Sequence, residues 1–286
     1  MQDMSLTIPG QDIQQLMRHI EARIDLKKVA ATPSSYWASM PLCIIDSVWS
    51  IRSNYEKTVC PLVRRFAKSN TPPWDGTDHS TPPSDGSPTV SDFIEAIEGR
   101  LQNGHTRETL FANRQRTSSR SGILKADAVH RFANALLSAG INRPSDLRDA
   151  ARLKKAETLV KEIPGQGTGI TFTYFLMLSG EGRFVKSDTH IRRFVSDGLG
   201  VPWSNLVSAD RAAGLLREAA RRFAVNLPGL TPAKLDHAVW ADQKLRTRPY
   251  RDGAGGGGQE REGYRGEDSD PNGCQRDGKA RIALRA

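Results

Sequence analysis

The sequence lacks the residues and runs that several large classes of protein require. Its three cysteines, Cys43, Cys60 and Cys274, form no CxxC pair and have no regular spacing, so a disulfide framework or a four-cysteine metal or iron–sulfur site cannot be built. No stretch approaches the roughly 20 apolar residues that cross a bilayer, and the N-terminus lacks the basic-then-apolar order of a secretory signal. We therefore expect a cytoplasmic protein that does not contact a membrane.

Sustained alternation of apolar and polar residues, the pattern of a half-buried strand, is also missing. Apolar residues instead recur at helical spacing, and Ser91 and Ser145 are predicted N-caps. The sequence thus predicts an all-α fold, with helices over residues 12–29 and 41–50 and, after a short polar break, a helix that ends near residue 68. Further helices are predicted over residues 90–99, 106–114, 125–139, 145–162, 188–197, 209–225 and 231–246, and one from residue 168.

Composition also suggests how the chain is divided. Residues 70–88 are dominated by Pro, Gly, Ser, Thr and Asp and predict a flexible loop, while residues 248–286 are glycine-rich and nearly free of apolar side chains, which predicts a disordered tail. We expect the chain before the tail to form two helical lobes with a DNA-binding cleft between the lobes. One spans residues 36–182; the other combines the helix of residues 1–35 with residues 183–247.

Positive charge is concentrated in the predicted helical body. The chain has 41 basic and 32 acidic residues, a net charge of +9, and its last 36 residues contain seven of each. A folded body that carries the whole excess suits a polyanion such as nucleic acid, although a basic surface kept for solubility is the alternative.

A glycine-containing turn is predicted between the helix that ends near residue 162 and the apolar helix that follows. The sequence there is IPGQGTG, from Ile163 to Gly169. Proline ends the first helix, and glycines leave the backbone open to a ligand at the positive end of the next helix. Such a turn binds a phosphate without reading a base, but it is also a common way of joining two core helices.

This turn and the residues after it resemble a known family. IPGQGTG, an interval of about nineteen residues, then SDTHIRRF and a closing GLG are similar to the helix-hairpin-helix base-excision DNA glycosylases, whose members show LPGxGxxTA followed by VDTHV. The motif covers about residues 147–200. The resemblance implies an all-α protein with a helix-hairpin-helix motif that binds double-stranded DNA through Gly165, Gln166, Gly167, Thr168 and Gly169.

Asp188 matches the catalytic aspartate of that family. Cleavage of an N-glycosidic bond builds positive charge on deoxyribose, and a fixed carboxylate stabilises that charge and orients or deprotonates the attacking water. The alternative role is N-cap of the helix that begins at Thr189, and the two roles are compatible.

Two departures from the family narrow the expected reaction. Members that also cut the strand carry a lysine at the position of Gly169, where it forms a Schiff base, so this chain resembles a monofunctional glycosylase. Lys186 is the substitute amine in a lyase alternative and otherwise a phosphate contact. The iron–sulfur loop of the endonuclease III branch is absent as well. We expect no metal or redox cofactor, with a monovalent cation at the hairpin carbonyls as an option.

The remaining DNA contacts are predicted from position. His190 and Arg192 follow the catalytic aspartate on the same helix, and His190 is a structural or backbone-phosphate residue rather than a base. Arg52 and Asn54 lie at a polar break after a buried helix, where family members fill the gap left by a flipped nucleotide. A solvated turn is the alternative.

A base pocket is predicted from the same region. Asp46 interrupts an apolar run and must be paired, exposed to a cleft or protonated, while Trp49 and Tyr55 could stack on a flipped base or belong to the core. Uracil, an alkylated purine, an oxidised base and a bulky modified cytosine all remain candidate substrates, in genome repair or in defence against modified phage DNA.

The sequence therefore predicts a monomeric hydrolase that removes a damaged or modified base flipped out of duplex DNA and leaves an abasic site. The alternatives are a non-catalytic helix-hairpin-helix DNA-binding protein and a bifunctional glycosylase/lyase that uses Lys186.

Overall fold

The computed structural model describes residues 9–70, 72, 74, 80–119 and 121–246. Over these residues the chain forms α-helices and short helical turns, and its only β pairing is an isolated bridge between Arg116 and Leu124. The predicted all-α class is confirmed. The helices are α1 (Gly10–Arg23), α2 (Leu26–Ala31), α3 (Met40–Trp49), α4 (Cys60–Lys68), α5 (Val90–Gln102), α6 (Arg107–Phe111), α7 (Lys125–Ser138), α8 (Ala150–Lys161), α9 (Ile170–Leu178), α10 (Thr189–Gly198), α11 (Ala209–Phe223) and α12 (Pro232–Arg246).

Helices α3 to α9 enclose a central core that runs from Trp37 to Leu178. All ten residues of α3 are buried, because this apolar helix packs against α7 on one side and α9 on another. Aromatic rings fill the space beside it: Phe111 lies 4.7 Å from Trp49 and 5.1 Å from Phe66 between ring centroids.

A separate terminal core joins the two ends of the described chain. Its buried residues come from Ile13 to Val29 and from Val185 to Val239, on α1, α2, α10, α11 and α12. Helices α1, α10 and α11 are amphipathic and turn their apolar faces toward this core. The N-terminal helices therefore share a core with the last three helices of the described chain.

Several helices begin or end at residues other than those predicted, because a nearby side chain caps them. The single helix predicted over residues 12–29 is two helices, because Ile24 is extended and Asp25 caps α2 by accepting from the amide of Lys28. The predicted caps at Ser91 and Ser145 are wrong. Thr89 caps α5 in a capping box with Asp92, and Asp149 caps α8.

The segment that connects the two cores, residues 179–184, and the residues just after it are hydrogen-bonded to α12. The amide of Ala233 donates to the carbonyl of Gly182 (3.0 Å), and the amide of Lys186 donates to Asp236 Oδ2 (2.8 Å). Of the helices described, none combines the length and apolar character that crossing a membrane requires. The tail predicted over residues 248–286 lies outside the described residues, as do residues 71, 73 and 75–79 of the loop predicted over residues 70–88.

Candidate nucleic-acid interface and carboxylate site

Residues Ile163–Gly169 form the turn between α8 and α9, here called the glycine turn. Gly165 has φ +85°, a left-handed conformation that favours glycine, and an added Cβ would lie 2.5 Å from Thr117 Oγ1. Thr117 Oγ1 donates to the carbonyl of Pro164 (2.8 Å). Only glycine therefore lets the loop before α7 approach the turn this closely.

Some backbone amides of the glycine turn donate hydrogen bonds within the protein, and others do not. The amides of Gln166 and Gly169 donate within the turn, to Ile163 and Gln166 respectively, at 2.9 and 3.0 Å. Among the hydrogen bonds of the described residues, none uses the amides of Gly167 and Thr168, and both residues are exposed. Open amides at the N-terminus of α9 match the geometry that holds an anion.

The sequence predicts a DNA contact for Gln166, but its side chain is directed inward. Gln166 is only 2% exposed, and its Oε1 accepts from Thr171 Oγ1. Its amide is also used, so this residue shapes the turn. The carbonyls of Ile163, Pro164 and Gln166 likewise accept bonds from within the protein, and the monovalent cation stays a prediction.

Gly169, the position of the lyase lysine in the resembling family, has its own steric reason to be glycine. It has φ +73°, and an added Cβ would lie 2.6 Å from Lys161 Cε and 3.3 Å from Lys161 Nζ. Lys161 pairs with Glu157 one helical turn earlier (2.5 Å). A side chain at residue 169 would thus displace this ion pair as well as strain the backbone.

Asp188 is fixed through one carboxylate oxygen and open at the other. Its Oδ1 accepts from the amides of His190 (2.9 Å) and Ile191 (3.2 Å), so it caps α10 as the sequence predicts. Oδ2 lies 3.9 Å from Lys186 Nζ, and the side chain is 21% exposed. The carboxylate is therefore neither buried nor fully paired.

Lys186 links this carboxylate to α9. Its ammonium lies 3.9 Å from the ring centroid of Tyr174 as well as beside Asp188, and its side chain is 14% exposed. Tyr174 is five residues after Gly169, about 7–8 Å along the helix axis. The glycine turn and the Asp188 carboxylate consequently flank the same short helix.

A second carboxyl lies behind this pair. Asp236 on α12 is 4% exposed and accepts from the amide of Lys186. Burial raises the pKa of Asp236 well above its usual 3.8, the Lys186 ammonium opposes this shift, and the charge of Asp188 adds to it. At neutral pH, Asp188 is thus accompanied by a carboxyl that retains its proton more readily than an exposed one.

The raised pKa of Asp236 predicts a specific pH dependence of stability. In a window above pH 3.8 the folded protein keeps a proton that the unfolded chain has lost, so the free energy of unfolding falls as pH rises, by at most about 1.4 kcal/mol per pH unit. The variant D236N has no titrating group at residue 236, so it lacks this pH dependence of the free energy of unfolding. Urea denaturation of both proteins from pH 4 to pH 8 should show the D236N-minus-wild-type difference growing with pH; a constant difference would contradict the assignment.

The other two predicted DNA contacts on α10, Arg192 and His190, make contacts within the protein. Arg192 Nε donates to the carbonyl of Val207 (2.8 Å), a hydrogen bond that holds the segment before α11. His190 packs edge-on near Trp240, with ring centroids 6.5 Å apart, and its buried Nδ1 has no partner among the described residues.

Arg52 and Asn54 lie on the exposed turn between α3 and a π-helical turn, Tyr55–Val59. Arg52 has φ +57°, one of two non-glycine residues with positive φ among those described. Asn54 Oδ1 accepts from the amide of Lys57 (2.8 Å), so its side chain caps the π-helical turn. Of the two, Asn54 is thus engaged within the protein, and entry of the Arg52 side chain into a duplex stays a prediction.

The predicted base-pocket residues lie in or beside the central core. Asp46 is fully buried and accepts from Trp37 Nε1 (2.7 Å), Ser50 Oγ (2.6 Å) and Tyr55 Oη (2.9 Å). Trp49 is also fully buried, against Phe111. Asp46 is thus paired within the protein, one of the three states that the sequence allows. Base recognition by these side chains stays a prediction that requires α3 to expose them.

Sequence reasoning missed the loop between α6 and α7. Thr117 on this loop contacts the glycine turn, and Gln115 Oε1 accepts from Ser53 Oγ (2.8 Å) on the turn that carries Arg52. Lys125, at the start of α7, is 2% exposed and joins the same cluster. A lone lysine within the apolar stretch GILKADAV was the available signal.

Comparison with known proteins gives a family but no activity. A family model described as a domain of unknown function (DUF8548) matches residues 14–244. The chain belongs to this family. The DUF8548 match begins in α1 and ends in α12, so it includes both cores, the glycine turn and Asp188. Searches of curated proteins and of solved structures give no match. Function is therefore inferred from the arrangement of the side chains and backbone groups at the candidate site.

Proposed function

We propose that this protein is a monofunctional DNA glycosylase, which hydrolyses the N-glycosidic bond of a damaged or modified base flipped out of duplex DNA. The observation that carries the proposal is the state of Asp188: two amides hold Oδ1, and Oδ2 stays accessible beside Lys186. A helix cap alone does not require the second oxygen to be accessible. A carboxylate that stabilises a cation does.

The reaction follows from that geometry. As the bond between C1′ and the base nitrogen lengthens, positive charge develops on the sugar, and the Asp188 carboxylate stabilises it without having to reorient. The same oxygen orients or deprotonates the water that adds to C1′. The products are the free base and an abasic deoxyribose in an intact strand.

Binding is assigned to the glycine turn and the basic body. Open amides at Gly167 and Thr168 hold a backbone phosphate, which fixes the strand without reading its sequence. Arg52 fills the space that the flipped nucleotide leaves. The net charge of +9, carried outside the last 36 residues, supplies the longer-range attraction.

Product identity tests the proposal. The full-length protein is incubated with duplexes that each carry uracil, an alkylated purine, an oxidised base or a bulky modified cytosine, and the products are analysed by mass. We expect a free base and an intact abasic strand from at least one duplex. Tight duplex binding with no base released from any of them would instead favour the non-catalytic DNA-binding alternative.

The lyase alternative has one observation in its favour, because the Lys186 amine lies 3.9 Å from Asp188 Oδ2. Lyase chemistry requires the lysine amine to attack C1′, whereas Lys186 Nζ is engaged within the protein, 3.9 Å from Asp188 Oδ2 and 3.9 Å from the ring centroid of Tyr174. We therefore expect no borohydride-trapped covalent adduct between wild type and an active duplex. An adduct that the substitution K186A removes would establish the bifunctional reaction instead.

A further inference from the structure

Lys125 is a buried ammonium surrounded by oxygen atoms of the Arg52 turn. Its Nζ donates to the carbonyls of Trp49 (3.0 Å) and Ile51 (2.6 Å) and to Ser53 Oγ (2.9 Å), and lies 3.3 Å from Gln115 Oε1. These four acceptors include no carboxylate. A buried charge satisfied only by neutral oxygens is costly, so an apolar residue would serve a purely structural role better.

The bonds of Lys125 enclose the one strained residue of that turn. Arg52 has φ +57°, and Lys125 holds the carbonyl just before it and the side chain just after it. For a residue with a Cβ, the left-handed conformation costs about 1–2 kcal/mol. Strain of this kind persists where surrounding contacts enforce it, and it is concentrated at functional sites.

The same cluster continues to the glycine turn. The amide of Lys125 donates to the carbonyl of Gln115 (2.8 Å), and two residues later Thr117 Oγ1 donates to the carbonyl of Pro164. One short loop thus fixes the Arg52 turn relative to the turn with the open amides. Burial and the nearby Arg52 guanidinium lower the pKa of Lys125 to about 8, so the ammonium predominates at neutral pH.

We propose that Lys125 is a positioning residue for base flipping: it holds Arg52 in the conformation that enters the duplex and sets the distance from Arg52 to the phosphate bound at the glycine turn. This inference rests on the proposed glycosylase function. It assigns to Lys125 no contact with DNA or with the reacting atoms.

The test compares K125M with wild type on a duplex that the wild type cleaves, with 2-aminopurine beside the target base. Methionine has a similar length and no charge. We expect K125M to bind undamaged duplex within about threefold of wild type, because the phosphate contacts remain. The 2-aminopurine fluorescence rise on binding should be lost and kcat should fall about 10²-fold, the penalty of misplaced positioning groups.

Lys234 provides the matched control. It is a partly buried lysine in the terminal core, where its Nζ donates to the carbonyl of Ala30 (3.0 Å) and burial lowers its pKa. The variant K234M should keep the fluorescence rise and kcat of wild type. If K125M does not fold, S53A removes one acceptor of the cluster and should lower kcat severalfold with little change in KM.

The outcomes separate the two proposals. Wild-type kcat and fluorescence in folded K125M, or in S53A where that variant replaces it, would overturn the role of Lys125 and leave the glycosylase assignment standing. If wild type itself releases no base and produces no fluorescence rise on any duplex, the proposed function fails and the positioning role fails with it.

Discussion

Replacing Asp188 with asparagine should lower the rate of base release by about 10²–10⁴-fold, the range typical of a lost acid–base or electrostatic group. Asparagine is nearly isosteric, and its side-chain oxygen can still accept from the amides of His190 and Ile191. What D188N removes is the negative charge at the accessible oxygen. Single-turnover base release, measured beside duplex affinity and melting temperature, should therefore show loss of rate with little change in the other two.

Alanine at the same position separates catalysis from capping. The variant D188A should lose both the rate and about 1 kcal/mol of unfolding free energy, because the cap of α10 is gone. Asp149 provides a matched control, since it caps α8 with two amide contacts of the same kind. We expect D149A to lose a similar stability and to keep its rate. A D188N variant as active as wild type would show that Asp188 is only a cap.

The second large effect is expected at Gly165. Substitution by alanine forces a left-handed conformation on a residue with a Cβ and brings that Cβ to 2.6 Å from the Cβ of Thr117. The two costs together amount to about 2–4 kcal/mol of unfolding free energy. Because residue 165 itself belongs to the glycine turn and must shift away from Thr117, duplex affinity should fall as well. Urea denaturation and fluorescence anisotropy measure the two effects.

Gly167, two residues later, is the control. An added Cβ there would lie 3.7 Å from the carbonyl oxygen of Lys161, an ordinary contact, and the φ of Gly167 is not in the left-handed region. The variant G167A should keep the stability of wild type while weakening duplex binding, because a methyl group would stand beside the open amides. Equal destabilisation by G165A and G167A would contradict the packing described at Thr117.

The elements that the sequence predicted well are those decided by neighbours in the chain. Helix α10 begins where an aspartate precedes Thr189, and α7 and α12 begin within a residue of their predicted starts. Caps depend on a side chain and an amide two or three residues apart, so their signal is local. Even so, the sequence predicts Ser91 and Ser145 as N-caps, whereas Thr89 and Asp149 are the caps. Several residues that can cap a helix lie within one turn of each other, and the sequence does not distinguish between them.

Contacts between distant residues could not be predicted in the same way. Lys125 bonds to oxygens 72 to 76 positions earlier in the chain, and Thr117 to a carbonyl 47 positions later. Gln166 is predicted only as a member of the DNA-contacting turn, and the sequence does not tell that its side chain is buried and accepts from Thr171, because residue type does not show which side of a turn is buried. The site was thus predictable at Asp188 and the turn glycines, whose patterns are local, and not in the cluster that supports them.

The most direct test of the central claim is base release by wild type and D188N, at equal concentration, from a panel of duplexes carrying different modified bases, scored as alkali-labile strand breaks. We expect breaks at the modified position from wild type on at least one duplex and, at the same early time point, about 10²-fold fewer or none from D188N. Equal product from the two proteins, or no product from wild type on any duplex, would contradict it.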